Sequence, residues 1–397
     1  MDFELQWLLW GLPLAFALGW VASRLDVRQW RREEKDSPKV YYKGLNLLLN
    51  EQQDKAIDAF IEAVQQDPDT SDLHFALGNL FRRRGEYERA VRVHQHLLGR
   101  ADLPKNDRDR AQHALAQDFM KAGLFDRAEE AYKALAGTAF DTEARLALLD
   151  LHERARDWRA AVEVARQLET SGTGSFASRI AHYGCEIALE ADAAHQTEAA
   201  DAALAGARET APRDARPLVL AGERAAARGD HGEALHAWNT LMKLQPAAFN
   251  LVARRYAASA RAAGKVEAAL ERLGSLYEQA PTIDLLETIA SLQADPAARQ
   301  ALLVAHLHEH PTMAAAQALL GPRTASGAAP AGAAEPAPLA PLTGAETGAL
   351  RDAVRRAAKP LHRYRCAACG FEAEHYFWQC PGCLGWDTYP PQRLEDL

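Results

Sequence analysis

The sequence predicts an all-α protein built mainly from repeated helix pairs, and three observations support this fold class. Alanine and charged residues dominate the 397-residue chain, a composition typical of packed helices with solvated outer faces. A small residue opens an apolar helical pattern at intervals of about 34 residues. Glycine precedes these positions and proline follows them at constant distances, as expected for turns that separate helices.

The clearest copy of the repeat runs from Gly44 to Pro68. Ala56, Phe60 and Ala63 follow Gly44 by 12, 16 and 19 residues, which is the spacing of a tetratricopeptide helix pair. Seven alanines, called anchor alanines below, open the second helices of seven copies: Ala56, Ala90, Ala128, Ala161, Ala200, Ala234 and Ala269. Two wide gaps between them predict extended turns at Ala101 to Asp109 and at Ser171 to Ser175.

Three further positions recur relative to the anchor alanines. Glycine lies five residues before four of them, in the turn inside the pair: Gly85, Gly123, Gly229 and Gly264. Proline lies twelve residues after four of them and closes the unit: Pro68, Pro212, Pro246 and Pro281. The fourth residue after the anchor is large in six copies and is expected to pack between units: Phe60, His94, Tyr132, Leu204, Trp238 and Leu273. We therefore predict a tetratricopeptide superhelix over residues 36–320, with a degenerate last unit, whose concave face holds protein segments.

Residues 1–35 are predicted to be a transmembrane anchor followed by a basic juxtamembrane segment. Leu5–Ser23 is an uncharged stretch of 19 residues, and as a helix it spans about 28 Å, close to a ~30 Å hydrocarbon core. Basic residues follow the span and none precedes it: Arg24, Arg28, Arg31, Arg32 and Lys35. The positive-inside rule then assigns the body to the cytoplasm. A cleaved signal peptide is the weaker alternative, because Asp2 and Glu4 stand where a basic region is expected.

The predicted span carries a ridge of small residues, Gly11, Ala15 and Gly19. Such a ridge lets a second transmembrane helix approach closely, from another protein or from a second copy of the chain. The alternative is that Gly and Ala are simply common in membrane spans.

Several function classes are disfavoured by the sequence. A net charge of −8 gives no basic field for nucleic acid. The chain has no phosphate-binding loop and no nucleophile elbow, so no enzyme is predicted. His306 to His310 matches a His-x-x-Glu-His zinc pattern, but it stands before Pro311 and is interpreted as an exposed polar helix end. Cys185 is interpreted as a small buried hydrophobe, not a reactive thiol.

Residues 321–342 form an Ala/Pro/Gly linker with almost no charge, and this composition predicts a flexible tether. Thr343 and Glu346 make a capping box that opens a short helix to about Ala358. The basic side of that helix is expected to be solvated, and docking onto the array is the alternative.

Residues 343–397 are predicted to contain a metal-binding domain. Two Cys-x-x-Cys turns, Cys366 with Cys369 and Cys380 with Cys383, are separated by ten residues. Each turn aims two thiolates at one point, and a hairpin between the turns completes a tetrahedral site. Four thiolates suit one zinc or one iron ion, and the spacing does not distinguish them. His375 is an alternative ligand, but the four cysteines already fill the site, which leaves no open position for catalysis.

Six aromatic residues surround these turns and are expected to form the core of the small domain: Tyr364, Phe371, Tyr376, Phe377, Trp378 and Trp386. Acidic and basic residues are nearly balanced there, which disfavours a nucleic-acid-binding ribbon.

Together, the N-terminal span, the repeats and the Tyr364-Arg-Cys-x-x-Cys-Gly…Trp378-x-Cys-Pro-x-Cys…Trp386 segment resemble the lipopolysaccharide assembly protein B family. The resemblance covers the chain except the linker. It implies a rubredoxin-like C-terminal domain in which Cys366, Cys369, Cys380 and Cys383 bind the metal.

The resemblance also implies a function and a location. The family is associated with the bacterial inner membrane, where it acts as an adaptor that promotes degradation, by the membrane protease FtsH, of the deacetylase committing precursor to lipid A. Other lipopolysaccharide-synthesis proteins, transmembrane regulators and a second copy of the chain are further partners to consider. One alternative is a scaffold that gathers lipopolysaccharide-synthesis enzymes without a protease, and another is a metal enzyme or electron carrier.

Overall fold

The computed structural model describes residues 15–20, 42–47, 49–50, 52–66, 70–319 and 344–396. These residues are mostly helical, and the helices follow one another as the antiparallel pairs expected of tetratricopeptide-like repeats. The chain divides into two compact units, residues 1–174 and residues 175–397.

The described part of the first unit begins with helical residues at 15–20 and 42–47. They are followed by α1 (Gln53–Gln66), α2 (Ser71–Arg83), α3 (Tyr87–Leu98), α4 (Lys105–Lys121), α5 (Phe125–Lys133), α6 (Asp141–Ala155) and α7 (Trp158–Thr170). Each helix packs against the next one in sequence. The long turn predicted from Ala101 to Asp109 is partly wrong, because α4 already begins at Lys105. Pro104, with φ of −58°, stands at its N-cap, and proline is well suited to start a helix.

The second unit continues the repeats with α8 (Ala177–Ala193), α9 (Thr197–Thr210), α10 (Ala215–Ala227), α11 (His231–Leu244), a 3-10 turn (Ala247–Leu251), α12 (Ala253–Ala262), α13 (Val266–Gln279), α14 (Ile283–Leu292), α15 (Pro296–Glu309) and α16 (Met313–Leu319). Residues between α7 and α8 form the extended turn predicted at Ser171 to Ser175.

The C-terminal part of the second unit consists of α17 (Gly344–Ala358), β1 (Tyr364–Arg365), β2 (Glu372–Ala373) and a 3-10 turn (Leu394–Asp396). The two short strands pair antiparallel, with Tyr364 opposite Ala373. Helix α17 packs against α16 and ends at Ala358 as predicted. Arg355 and Arg356 on its basic side are exposed, as the solvated interpretation expects, whereas Arg351 is half-buried and the helix itself packs on the last helix of the array, as the docking alternative expects.

All seven anchor alanines are buried, with at most 2% of their surface exposed. The structure also shows where the large residue four positions after the anchor packs. Phe60, His94 and Trp238 lie against Gly44, Gly78 and Gly222, where a Cβ atom would collide with the ring. These large side chains therefore pack inside their own helix pair, against the first helix, and the expectation that they pack only between units is incomplete.

The two positions, sixteen residues apart, are complementary in size in every copy. Glycine faces Phe60, His94 or Trp238, while alanine stands opposite Tyr132, Leu204 and Leu273. In the fourth copy the order is reversed, with Leu149 in the first helix and Ala165 in the second. Both residues of this reversed pair are at most 1% exposed. A fixed space between the two helices is thus filled by different residue pairs.

The turn inside each pair uses the left-handed backbone region. Gly85, Gly123, Gly229 and Gly264 have φ between 67° and 81°, as their predicted role requires. At the same position in the fourth and fifth copies stand Arg156 and His195, with φ of 57° and 58°. The turn geometry is therefore common to six copies although the glycine is not.

Three of the prolines predicted to close units follow a helix end by two residues. They are Pro212, Pro246 and Pro281, after α9, α11 and α13 respectively. Pro68, the linker 321–342 and Thr343 of the capping box lie outside the described residues.

The predicted span Leu5–Ser23 is described only at residues 15–20, which are helical. Within the described part of the chain, no helix is both long enough and apolar enough to cross a membrane.

Candidate metal centre

The four predicted cysteines come together at one point of the C-terminal ribbon, defined here as residues 364–390. Their sulfur atoms all lie within 4.8 Å of one another, with 3.8 Å between the Sγ atoms of Cys366 and Cys383 and 3.6 Å between those of Cys369 and Cys380. A tetrahedron with metal–sulfur bonds of ~2.3 Å has edges of about 3.8 Å, whereas a disulfide needs about 2.05 Å. The sulfur spacing therefore fits a single tetrahedral metal ion and not two disulfides.

The two cysteine turns are built in the same way. The backbone N–H of Gly370 donates to the carbonyl of Cys366 at 2.9 Å, and that of Leu384 donates to the carbonyl of Cys380 at 2.8 Å. Gly370 and Leu384 are both left-handed, with φ of 76° and 58°. This shared geometry reverses the backbone direction at each cysteine turn and places both thiols of a pair on the same side.

The surroundings lower the pKa of Cys366 and Cys380 and so favour the thiolate, the metal-binding form, at these two sulfurs. At Cys369 a backbone hydrogen bond at Phe371 lowers the pKa, but burial and the sulfurs of the other three cysteines raise it, to about 12. A hydrogen bond from the Thr388 hydroxyl is the largest contribution that lowers the pKa of Cys366, to about 6. The backbone N–H of Gly382 donates to Cys380 Sγ at 3.3 Å. Tyr389 packs beside the site, with its hydroxyl 4.0 Å from Cys380 Sγ. A neutral phenol and backbone amides thus contact the sulfurs.

The cluster can hold an ion but offers little for chemistry on a substrate. All four cysteines are needed for a closed tetrahedral site, and closed sites of this kind stabilise a fold. Cys366 and Cys380 are buried, while Cys369 and Cys383 are exposed. His375, the alternative ligand, is exposed and lies outside the sulfur cluster.

The sequence predicted that all six surrounding aromatic residues form the core of the ribbon, but only some of them do. Tyr364 is buried with Tyr389, Cys366 and Cys380, and Tyr376 packs against this small cluster. Phe371 and Phe377 are instead 44% and 38% exposed, so their predicted burial is wrong. The reason is size, because a ribbon of fewer than about 40 residues cannot enclose six rings.

Trp378 and Trp386 both contact the helical array, and Trp378 also packs edge-to-face on Tyr376 of the ribbon at 5.0 Å between centroids. The Trp386 ring stacks on the His182 ring of α8, with 4.7 Å between centroids and 22° between planes. Trp378 lies 5.8 Å from the same imidazole. The Arg216 guanidinium of α10 lies 5.7 Å from the Trp386 ring and 5.8 Å from the Trp378 ring, within the distance at which cation–π attraction acts.

A polar contact reinforces this docking. His182 Nε2 lies 2.8 Å from Asp387 Oδ2, and the Ser178 hydroxyl donates to the same oxygen at 3.3 Å. His182 is only 2% exposed. Sequence reasoning left the docking of the ribbon open and did not identify His182 or Arg216, since neither belongs to a local motif.

The C-terminal tail, residues 393–396, holds the ribbon at a second place. Arg393 Nε donates to Asp284 Oδ2 at 3.0 Å. Asp396 Oδ1 accepts from the backbone N–H of Ile283 at 3.1 Å, at the start of α14. Glu395 Oε1 accepts from the N–H groups of Met313 and Ala314, at the start of α16. Two carboxyl groups thus cap two helix N-termini. Burial raises the pKa of Asp396 to about 6 and outweighs the N–H of Ile283, which favours the charged form of this carboxyl group.

The remaining candidate residues have structural roles. His306 is 3% exposed, with Nδ1 2.5 Å from the Tyr277 hydroxyl and Nε2 3.3 Å from Thr312 Oγ1. Its predicted exposure is wrong because α15 turns this residue onto α13, whereas His308 and His310 are exposed as expected. Cys185 is fully buried, and burial raises its pKa to about 12, which confirms the inert interpretation.

Two family models match the two parts of this architecture. A family model described as "Rubredoxin metal binding domain" matches residues 364–390, and one described as "Tetratricopeptide repeat" matches residues 73–109. A solved tetratricopeptide repeat protein from Parabacteroides merdae is similar with a TM-score of 0.33 and 14% identity, covering 64% of this chain and 98% of that one.

Two relatives are similar over nearly the whole chain. Lipopolysaccharide assembly protein B of Escherichia coli K12 is 31% identical over 405 residues, and the alignment covers 99% of each chain. The protein of the same name from Haemophilus influenzae is 26% identical, again with 99% of each chain covered.

Proposed function

This chain belongs to the lipopolysaccharide assembly protein B family, and on that premise we propose that it is an inner-membrane adaptor in the control of lipopolysaccharide synthesis. The adaptor presents the deacetylase committing precursor to lipid A to the membrane protease FtsH. The chain itself carries out no catalytic step. Its partners are therefore proteins: the protease, the deacetylase as client, and other lipopolysaccharide-synthesis or transmembrane regulatory proteins.

The observation that carries this proposal is the combination of a repeat array with a ribbon docked on it. Helical repeats of this class expose an extended surface for holding other proteins. Trp386 of the ribbon contacts His182 of α8 and Arg216 of α10, and the tail that follows the ribbon contacts α14. The second unit therefore presents one composite surface made of array and ribbon. Such a surface suits recognition of a folded client together with a second partner.

The ribbon is proposed to bind one zinc or iron ion through Cys366, Cys369, Cys380 and Cys383. The ion supplies cross-linking of the two cysteine turns. The other roles belong to residues of the chain. Gly370 and Leu384 shape the cysteine turns, and Trp378 and Trp386 position the ribbon on the array. The metal centre is thus part of the binding surface and not a reaction centre.

The membrane anchor is part of the same proposal, supported by the uncharged stretch Leu5–Ser23 and the basic residues after it. Residues 1–35 are proposed to cross the bacterial inner membrane once and to leave the array on the cytoplasmic side, because basic residues follow the span. A helix anchored in this way keeps the array beside a membrane protease. The Gly11, Ala15 and Gly19 ridge is a candidate contact for a second transmembrane helix, including that of a second copy.

The test is the lifetime of the deacetylase in cells depleted of this protein. The adaptor proposal predicts a longer lifetime and a higher steady level of deacetylase, and no further change when FtsH is also inactivated. An unrelated FtsH substrate measured in the same cells serves as the control and should keep its lifetime.

A scaffold that gathers lipopolysaccharide-synthesis enzymes without delivering any of them to a protease is the second candidate function. It gives the opposite result, with the deacetylase lifetime unchanged on depletion. That outcome would reject the adaptor proposal and leave co-purification of several synthesis enzymes as the property to examine.

A further inference from the structure

Three first helices of the second unit, α8, α10 and α12, present a row of open positions. The row contains the residue eleven positions before each anchor alanine: Leu189, Glu223 and Ala258. Leu189 is 42% exposed although it is a large apolar residue, and Ala258 is exposed as well. Because the helix pairs repeat, equivalent positions lie side by side on neighbouring first helices.

This row is continuous with the face that already binds the ribbon. His182 and Leu189 are seven residues apart on α8, and so are Arg216 and Glu223 on α10. Residues seven apart share one face of a helix, about 10 Å along its axis. The ribbon occupies the N-terminal end of this face, and the row lies next to it towards the C-terminal ends of the helices.

A cleft of about 370 Å³ opens in the row between α10 and α12. Its lining consists of Glu223, Ala226, His231, Arg255, Ala258 and Ser259. The two alanines leave room between the helices for a side chain from outside. Glu223 pairs with Arg255 across the cleft, and His231 Nδ1 lies 3.2 Å from the Ser259 hydroxyl.

The charged pair has unused hydrogen-bonding capacity. Burial raises the pKa of Glu223, and this effect outweighs the opposing influence of the Arg255 and Arg216 guanidinium groups. The carboxylate is thus poorly compensated and gains from a further N–H donor. The Arg255 side chain is 60% exposed and carries five N–H groups. An acceptor and a donor side by side match the N–H and C=O groups of an extended peptide.

We propose that an extended segment of the client protein binds across α8, α10 and α12 beside the docked ribbon. Its main chain lies between Glu223 and Arg255, one apolar side chain enters over Ala226 and Ala258, and another contacts Leu189. Neighbouring helices are ~8–10 Å apart and an extended chain advances ~3.3 Å per residue. Contacts on successive helices are therefore about three residues apart in the client. This inference rests on the proposed adaptor function, since it takes the deacetylase as the client.

The experiment fills the cleft and measures binding of the purified deacetylase. Ala258→Trp in the detergent-solubilised full-length protein is expected to weaken the affinity at least about tenfold, because the ring occupies the space of the client side chain. Ala205→Trp is the matched control on α9, where the alanine is also exposed but lies on a second helix. Its affinity should stay within about twofold of the unmodified protein.

A second variant avoids dependence on a bulky substitution. Glu223→Gln keeps the shape of the side chain and removes its charge, so a loss of affinity of several-fold is expected. Circular dichroism and metal content of each variant should match those of the unmodified protein.

Each outcome is decisive. If the unmodified protein does not bind the deacetylase, the adaptor function fails and this inference fails with it. If the unmodified protein binds and Ala258→Trp and Glu223→Gln bind equally well, the function stands and the cleft is not the client site. If Ala258→Trp instead blocks binding of the protease or self-association while the deacetylase still binds, the assignment of the occupant is overturned.

Discussion

Replacing Gly222 by alanine tests the size complementarity inside the helix pairs. The new Cβ atom would collide with the Trp238 indole, which is fully buried and donates from Nε1 to the Val219 carbonyl at 3.3 Å. Overpacking costs ~1–3 kcal/mol and loss of this hydrogen bond about 1 kcal/mol. Alanine regains about 1 kcal/mol of helix propensity. The expected net loss in the free energy of unfolding is about 1–3 kcal/mol.

Two comparisons make this prediction specific. Gly206 lies in α9 with open space where its Cβ would be, so Gly206→Ala should stabilise by about 0.5–1 kcal/mol. In a Trp238→Leu background, Gly222→Ala should no longer destabilise, because alanine already stands sixteen residues before Leu204 and Leu273 in other copies. The coupling between the two substitutions should reach about 2 kcal/mol.

The assay is hydrogen exchange of the amides in α10 and α11, which reports the free energy of local opening. Exchange is preferable to a melting curve here because a repeat array need not unfold in one step. If Gly222→Ala reduces protection equally with and without the Trp238→Leu substitution, collision with the indole is not the cause and the reasoning is refuted.

Three other predictions follow from the same structure. Replacing Cys366 by serine, or removing the metal with a chelator, should release the ribbon from the array, because the folded ribbon holds Trp386 there. Amide hydrogen exchange should then increase at the start of α14 and in α8, and unchanged exchange would contradict this prediction. Burial raises the pKa of Asp396 to about 6 from a usual value of 3.8, so its contribution to stability is full below about 3.8 and is lost as the pH rises through about 6. The free energy of unfolding of the unmodified protein should therefore fall between pH 4 and pH 7 by more than that of Asp396→Asn. An equal pH dependence of the two proteins would refute this prediction. Arg156→Gly should stabilise by about 0.5 kcal/mol, since a left-handed non-glycine residue is strained, and calorimetry showing a lower melting temperature would exclude that explanation.

The repeat and the metal ligands were predictable from the sequence because both depend on local spacing. An anchor alanine such as Ala234 is recognisable from its glycine, its proline and its tryptophan, all within 25 residues. Cys366 and Cys369 are fixed in one turn by the two residues between them. Such patterns report the backbone geometry directly, and the structure confirms the burial of every anchor.

The docking of the ribbon was not predictable in the same way. His182 and Asp387 are separated by 205 residues, and no spacing rule connects them. Trp386 and Phe371 look alike as aromatic neighbours of a cysteine turn, yet one stacks on the array and the other is 44% exposed. His306 was misjudged for the same reason, since its burial depends on Tyr277 from another helix.

The stability of the ribbon depends on the array as well as on metal. Residues 364–390 are too few to build a core of their own, and Phe371 and Phe377 remain exposed on them. Trp378 and Trp386 are half-buried, and both contact His182 and Arg216 on the array. Metal binding shapes the turns that carry these tryptophans, so part of the free energy of docking contributes to the affinity for metal. By the same linkage, a partner that displaces the ribbon from the first helices lowers the affinity of the ribbon for metal. A partner that contacts the ribbon and the first helices together raises that affinity.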